Sequence, residues 1–328
     1  MKRSFVIGSL AGLALFTALI VWYGAAEVAD ALLVMGWSIL AVSLFRLVLL
    51  VFDLLSWRVL LVPDARQSLL QLFWIRWIAD SVNTLLPVAW VGGEFLRAHL
   101  LYRRGVDGAT AGASVLVDVT AGIFTQLLFS VVGVIAFVLM VGAARDTNVN
   151  LAIGLALFGA GVIGFYLVQR SGLFSKLASI AGRLVDSAGP RKLTGAAADF
   201  DAATTILYRN RPAVALCCLW RILGWVAGTA EVWLIFYFLG HPVSLAEAFI
   251  LESLGQAARS AGFMVPGGIG IQEGGLILIG SQLGITTELA LAFSLAKRVR
   301  EILVGLPCLI IWQISEWRGI WQHNHDEP

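Results

Sequence analysis

The chain has 328 residues, 59% hydrophobic and 13% charged, with mean hydropathy +0.86 and a net charge of +2. Soluble globular domains carry about a quarter charged residues, so this composition excludes that class and indicates a polytopic helical membrane protein. The small net charge gives no support to a nucleic-acid partner, and three cysteines in apolar runs (Cys217, Cys218, Cys308) point to neither a disulfide framework nor a metal site. The histidines are scattered, with His323 and His325 in a polar tail.

Lys2 and Arg3 precede an apolar run from Phe5 to Trp22. It is long for a signal-peptide core and long enough to span, so it is expected to persist as a first helix entering from the cytoplasm. Trp37 to Val62 is the second expected span. Arg46 and Asp53 share one of its faces, and Arg58 and Arg66 mark its cytoplasmic end. Ser68 to Leu86 opens a broken segment in which Arg76, Asp80, Thr84 and Pro87 form a polar stripe at helical spacing. The chain returns through Glu94 and Arg97 to Arg103-Arg104. Basic flanks at both ends predict a re-entrant hairpin from the cytoplasmic side. A long span follows, Ala109 to Gly142, with Ala111, Ser114, Asp118, Gly122 and Thr125 as a small, polar stripe. Positions 143–149 are expected as an outer loop and 150–168 as the returning span.

The polar connection 170–211 is rich in Lys and Arg, which places it in the cytoplasm. Within it Leu173, Phe174, Leu177, Ile180 and Leu184 recur as one face of an amphipathic helix, suited to an anionic leaflet or to packing on the membrane domain. Pro212 to Leu239 goes out again, with Arg221, Gly224, Gly228 and Glu231 on one face. Val243 to Gly262 enters a second broken segment carrying Glu252, Gln256 and Arg259, which leaves through Glu273 to Gly284. Thr287 to Trp312 is the last expected span. Lys297, Arg298, Arg300 and Glu301 sit at its middle, and Lys297 and Glu301, one turn apart, are expected to pair. The twelve tryptophans suit interfacial belts, and Trp74, Trp77 and Trp90 are expected to line the first hairpin.

The two broken segments repeat one pattern. Ser81, Pro87 and Glu94 keep the spacing of Ser260, Pro266 and Glu273. On the same shift Gly105 falls on Gly284, Ala111 on Ala290 and Asp118 on Lys297. Pro87, Gly92 and Gly93 in one copy, and Pro266, Gly267, Gly268 and Gly270 in the other, rule out an uninterrupted membrane helix. The expected fold is therefore all-α and integral to the membrane: six transmembrane helices plus two re-entrant helical hairpins arranged as an inverted repeat. It forms a single membrane domain over 1–328, with halves of about 1–142 and 150–317 joined by the loop 143–149, and the connection 170–211 lies within the second half. Inverted repeats whose broken helices meet at the midplane characterise secondary transporters.

A charged side chain at a helix centre costs about 2.5–3.5 kcal/mol on insertion scales. The expected spans carry many, and they concentrate around the hairpins, so they should face an interior cavity. The residues expected to bind or pass a substrate are Glu94, Arg97 and Asp118 in the first half. In the second half they are Glu252, Gln256, Arg259, Glu273, Lys297, Arg298 and Glu301. For any one of these, a structural ion pair that orients helices is the competing reading. Helix N-termini after the breaks and the arginines of the second half favour an anionic group such as phosphate. Glu94 and Glu273 suit gates, proton carriers or hydroxyl ligands. Gly268-Ile-Gly270 follows no strand, so a dinucleotide loop is discounted. No catalytic triad or zinc-ligand spacing stands out. No cofactor, no metal and no enzymatic activity are expected.

Four stretches carry a resemblance: Ser114-Val-Leu-Val-Asp118-Val-Thr120, Glu252-Ser-Leu-Gly-Gln256-Ala-Ala-Arg259-Ser260, Val265-Pro-Gly-Gly-Ile-Gly-Ile-Gln-Glu-Gly-Gly275 and Ser294-Leu-Ala-Lys-Arg-Val-Arg-Glu-Ile-Leu-Val-Gly-Leu-Pro307. Together they resemble the flippase-like membrane domain of bacterial lysylphosphatidylglycerol synthases, most of all its hopanoid-associated, HpnL-type branch. The resemblance implies an inner-membrane lipid transporter or flippase, multi-pass with both termini cytoplasmic, whose cargo is a hopanoid or related lipid. Lysyl transfer, the work of that family's soluble domain, is not implied. Two alternatives stay open: a flippase for an anionic glycolipid or polyprenyl phosphate, and a non-catalytic scaffold for lipid biosynthesis. The implied partners are a membrane lipid and proteins of lipid synthesis or export.

Overall fold

The computed structural model describes residues 35–61, 67–86, 92–142, 190–261 and 271–323, and every regular element among them is a helix. The expected first span, the outer loop 143–149, the return span 150–168, the amphipathic face at 173–184, Trp90, His325, and the break residues Pro87, Pro266, Gly267, Gly268 and Gly270 lie outside these residues.

Local sequence sets the helix boundaries. Helix α1 (Ser38–Arg58) is apolar apart from Arg46, Asp53 and the terminal Arg58. Helix α2 (Leu69–Leu85) is opened by a capping box: the Gln71 N–H donates to the Ser68 hydroxyl (3.3 Å), and the Ser68 N–H donates to the Gln71 side chain (3.1 Å). Helix α3 (Gly92–Tyr102) follows the first break, and α4 (Gly108–Gly142) starts where Asp107 accepts from the Thr110 N–H at 3.0 Å. Helix α5 (Pro190–Arg209) leads into α6 (Arg211–Phe238), capped by Asn210 with proline in its first turn. Helix α7 (Leu245–Ala261) repeats the capping box with Ser244 and Glu247. Helix α8 (Ile271–Gln282) follows the second break, and Thr286 caps α9 (Thr287–His323).

Three of the described helices are long and apolar enough to cross a membrane: Ser38–Arg58, Gly108–Val141 and Arg211–Phe238. Their outer faces carry exposed rows such as Leu44 and Val48, Phe124, Leu128, Ile135 and Leu139, and Leu219 and Val226. Solvating such rows in water would be unfavourable, and lipid chains cover them without penalty. Helix α9 is longer still, but four charges interrupt its apolar run; Lys297, Arg298 and Arg300 are buried in the bundle.

The packing pairs come in twos. Helix α1 lies against α6. Helix α2 packs on α9 as α7 packs on α4; α2 pairs with α3 as α7 pairs with α8; α3 packs on α4 as α8 packs on α9. Exchanging α1–α4 with α6–α9 therefore maps these contacts onto one another. The turns agree in detail. On the shift that sets Gly105 on Gly284, the bond from the Leu283 N–H to the Gly280 carbonyl falls on that from Arg104 to Leu101. The Ala290-to-Thr286 bond likewise falls on Ala111-to-Asp107. Gly105 and Gly284 share left-handed φ values of +86° and +78°, where a Cβ would be strained. Upstream of the breaks the register differs. Counted from the capping serines Ser68 and Ser244, Ser260 matches Thr84 rather than Ser81, because the second break is longer.

One further difference from the sequence expectations has a physical cause. The end of the polar connection is a helix, α5, because Phe200, Ala203 and Leu207 recur on one face; Phe200 and Leu207 are buried in the cluster with Leu116, Val117 and Cys217. Trp74 and Trp77 pack edge to face on the first hairpin helix, and the Trp77 Nε1 donates to the Val304 carbonyl of α9 (3.1 Å), which ties α2 to α9.

The α2–α3 crossing depends on Gly93. Its N–H donates to the Asn83 Oδ1 at 2.8 Å, and a Cβ there would overlap the Ala79 carbonyl oxygen and the Asn83 side chain. Gly93→Ala should lower stability by about 1–3 kcal/mol in detergent denaturation. Gly274→Ala, with open space around it, should stay within about 0.5 kcal/mol of wild type. Equal stability of the two variants would refute a tight crossing.

Candidate functional site

Five helices enclose a cavity of about 160 Å³ lined mostly by polar side chains. Helix α1 supplies Arg46 and Asp53, and α2 supplies Arg76, Asp80 and Thr84 at successive turns. Helix α6 contributes Arg221, Trp225 and Glu231, with Gly224 and Gly228 between them. The small residues let neighbours close in: a Cβ at Gly228 would touch the Glu252 carboxylate and one at Gly224 would touch Phe52. Helix α7 brings Glu252, Gln256 and Arg259, and α9 brings Lys297, Arg300 and Glu301.

One wall rests on Asp118 of α4, which is fully buried. Its carboxylate accepts from Arg221 of α6 at 2.6 Å, from Arg97 of α3 at 2.7 Å and from the Ser56 hydroxyl of α1 at 2.9 Å. Arg97 has no exposed surface; it lies over the Trp57 ring with its carbon 4.7 Å from the centroid and reaches Glu94 at 2.9 Å. Arg221 also holds Asp53 at 2.7 Å. Helices α1, α3, α4 and α6 thus meet at a single carboxylate. Beside it Arg46 of α1 binds Asp80 of α2 at 2.8 Å.

The opposite wall rests on Glu301 of α9. It accepts from Arg259 of α7 at 2.8 Å, and Arg300 and Arg298 approach it at 3.4 and 3.6 Å. Arg300 holds Glu231 of α6 at 2.6 Å, and Lys297 holds Glu252 of α7 at 2.6 Å, where Gln256 adds a bond at 2.9 Å. The expected Lys297–Glu301 pair is therefore not formed: Lys297 is taken by α7 and Glu301 by arginines, because each finds a partner across the helix interface. Arg298 and the Ser294 hydroxyl bind Glu273 of α8, at 3.1 and 3.2 Å.

The positive helix ends after the breaks are already answered by the protein. Glu94 stands in the first turn of α3 and Glu273 in the first turn of α8, where a carboxylate is favoured by the helix dipole. Glu94 also accepts from the Asn83 amide at 3.3 Å, tying the end of α2 to the start of α3. Each cation that sequence reasoning read as an anion site faces a carboxylate of the chain itself.

Of the residues expected at the site, Glu252, Gln256, Arg259, Lys297 and Glu301 line the cavity. Glu94, Arg97, Asp118, Glu273 and Arg298 stand behind its walls and hold the lining charges in place. Gly92 and Gly93 begin α3 away from the cavity. Arg46, Asp53, Arg76, Asp80, Arg221, Glu231 and Arg300 were expected to face an interior cavity but not to bind the substrate; they line the cavity as well, together with Thr84. Their signal was present: the members on each of α1, α2 and α6 share one face by helical spacing.

A buried ion pair broken on one side leaves an uncompensated charge and costs about 3–5 kcal/mol. Asp118→Asn should lower stability by that amount, since Arg97 and Arg221 both lose their closest acceptor. Glu316→Gln, whose partner Arg103 is exposed, should cost about 0–1 kcal/mol. Denaturation in detergent compares them, and a small Asp118→Asn effect would show that the cluster is not the keystone of the fold.

Comparison with known proteins agrees with a membrane protein. The lysylphosphatidylglycerol synthase TM region family matches residues 9–307. A curated relative, a UPF0104 membrane protein of Methanothermobacter thermautotrophicus, is 25% identical over 320 residues, covering 91% of this chain and 91% of its own length. No solved structure matches. With nearly its whole length matched, the chain belongs to the lysylphosphatidylglycerol synthase TM region family of integral membrane proteins.

Proposed function

We propose that the chain is a lipid transporter of the bacterial inner membrane, with both termini cytoplasmic, and that it carries a lipid with a neutral, hydroxyl-rich headgroup, a hopanoid or related polyol, by alternating access between two inverted halves. The paired packing of α1–α4 and α6–α9 supports the inverted repeat. The observation that carries the reading is the cavity wall, where guanidiniums and carboxylates alternate and each cation faces an acid.

The alternation bears on cargo. A phosphate only accepts hydrogen bonds and would have to displace carboxylates already bound to the arginines. A hydroxyl donates and accepts, so it inserts between an arginine and an acid without leaving either unsatisfied. The ion pairs also occupy the acids and bases that an enzyme would use, which favours transport over catalysis.

Periodate cleaves vicinal diols and does not cross bilayers, so it tests the proposal directly. Vesicles holding the purified chain and a polyol triterpenoid should lose nearly all of the diol to external periodate. Protein-free vesicles should lose only the outer-leaflet share. Arg259→Ala with Glu273→Gln should return the signal to the protein-free level. Movement of a polyprenyl phosphate in place of the polyol would select the anionic cargo, and movement of neither would leave the scaffold reading standing.

A further inference from the structure

The buried cations of the cavity walls are not equally satisfied. Arg46, Arg97, Arg221, Arg259, Lys297, Arg298 and Arg300 each reach a carboxylate oxygen at 3.1 Å or less. Arg76 does not. Its nearest acids are Asp53 at 3.4 Å, Glu94 at 3.7 Å and Asp118 at 4.0 Å. Each also holds a closer cation: Asp118 through the same oxygen, to Arg221 at 2.6 Å, and Asp53 and Glu94 through their other oxygens, to Arg221 at 2.7 Å and Arg97 at 2.9 Å. The Nε and Nη1 of Arg76 have no hydrogen-bond partner among the described residues, although the residue is only 8% exposed and lines the cavity. Buried guanidinium N–H groups without acceptors are unfavourable. Nε and Nη1 are themselves shut off from the cavity, so an acceptor oxygen arriving there meets Nη2, which has its nearest acid, Asp53, at 3.4 Å.

The neighbours of Arg76 say what kind of oxygen that is. One turn on, Asp80 offers carboxylate lone pairs beside the bond it accepts from Arg46. A further turn on, the Thr84 hydroxyl donates to the Asp80 backbone carbonyl at 2.7 Å, which turns its lone pairs into acceptors. Helix α2 thus lines the cavity with a donor and then two acceptors, over roughly 12 Å of helix axis. A phosphate at Arg76 would sit among three carboxylates that lie within 4.0 Å of the same guanidinium. A hydroxyl accepts from Arg76 and donates to the acids.

We infer that Arg76 is the headgroup anchor of the cavity, and that Arg76, Asp80 and Thr84 together bind a chain or ring bearing several hydroxyls. The inference rests on the reading of the cavity as a lipid headgroup site and adds the residue that grips the cargo. Arg76 presents a fork of donors, which lysine cannot reproduce although it keeps the charge. That separates an anchor from a mere counter-charge to Asp53.

The test is native mass spectrometry of the full chain in nanodiscs doped with a polyol triterpenoid or with a polyprenyl phosphate. Wild type, Arg76→Lys, Arg76→Gln and the remote Arg103→Gln are compared, with thermal melting as the check on folding. Wild type and Arg103→Gln should bind the polyol. Arg76→Lys should melt as wild type yet bind it about tenfold more weakly or worse, the loss expected for hydrogen bonds to a charged group. Polyol binding by Arg76→Lys equal to wild type overturns the inference and leaves the lipid reading intact. Phosphate binding that Arg76→Lys weakens overturns the hydroxyl specificity. Absence of both lipids from wild type overturns the inference together with the cavity reading on which it rests.

Discussion

Asp118 and Glu301 are the two points on which the structure depends. Each is a carboxylate approached by three guanidiniums, on α4 and α9, the helices that the paired packing exchanges. In a low-dielectric interior an ion is tolerable only when it is paired and hydrogen-bonded. That constraint fixes helices in a way that apolar packing does not. The large apolar cluster of Phe236, Leu251, Ile279 and Phe293, and the other of Trp57, Ile75, Leu101 and Val115, would accept a shifted register at modest cost. A shift that separates Arg221 from Asp118 is far less favourable.

Helix α6 links the two points. Its Arg221 binds Asp118 and Asp53, and its Glu231 binds Arg300, roughly 15 Å further along the axis. In the proposed transport cycle a movement of α6 against either wall must exchange ion-pair partners at both ends. The surrounding charges make such an exchange feasible. Glu301 stands next to Arg300, and Arg76 lies within reach of both acids that Arg221 holds. The glycines at 224 and 228 place α6 close enough to Phe52 and Glu252 for the exchange to involve neighbouring side chains directly.

Much of this was legible in the sequence, and the reasons differ by element. Helices α2 and α7 were readable because Ser68 and Ser244 cap them and their polar residues recur at one-turn intervals. The turns at Gly105 and Gly284 were readable because a left-handed position selects glycine. The site was read with the wrong emphasis. Residues around the breaks drew attention because prolines and glycines stand out, whereas most of the lining comes from α1, α2 and α6, where charges sit in apolar runs. Which cation pairs with which acid was not legible. Spacing along one helix favours Lys297 with Glu301, but contacts across helices decide, and those depend on how α7 and α9 cross. Helix α5 was missed because its apolar face is short and its flanks are polar.

The balance of charge is itself an argument about function. A buried ion pair is commonly no better for stability than well-packed apolar residues of the same volume. A bundle that needed only to hold together would have no use for a wall of alternating arginines and acids, each requiring its own desolvation. Under the proposed function such a wall serves a cavity whose occupant changes: a hydroxylated headgroup that enters would replace bonds made by the wall with its own donors and acceptors. Seven of the cations each have an acid at 3.1 Å or less. Arg76 has no acid that close: Asp53 and Glu94 turn one oxygen to Arg221 and Arg97 and the other to Arg76, at 3.4 and 3.7 Å. In the inference drawn above this loosely paired guanidinium is the one left to grip a headgroup, and it shares the α2 face with Asp80 and Thr84, the acceptors that would take the other side of each hydroxyl.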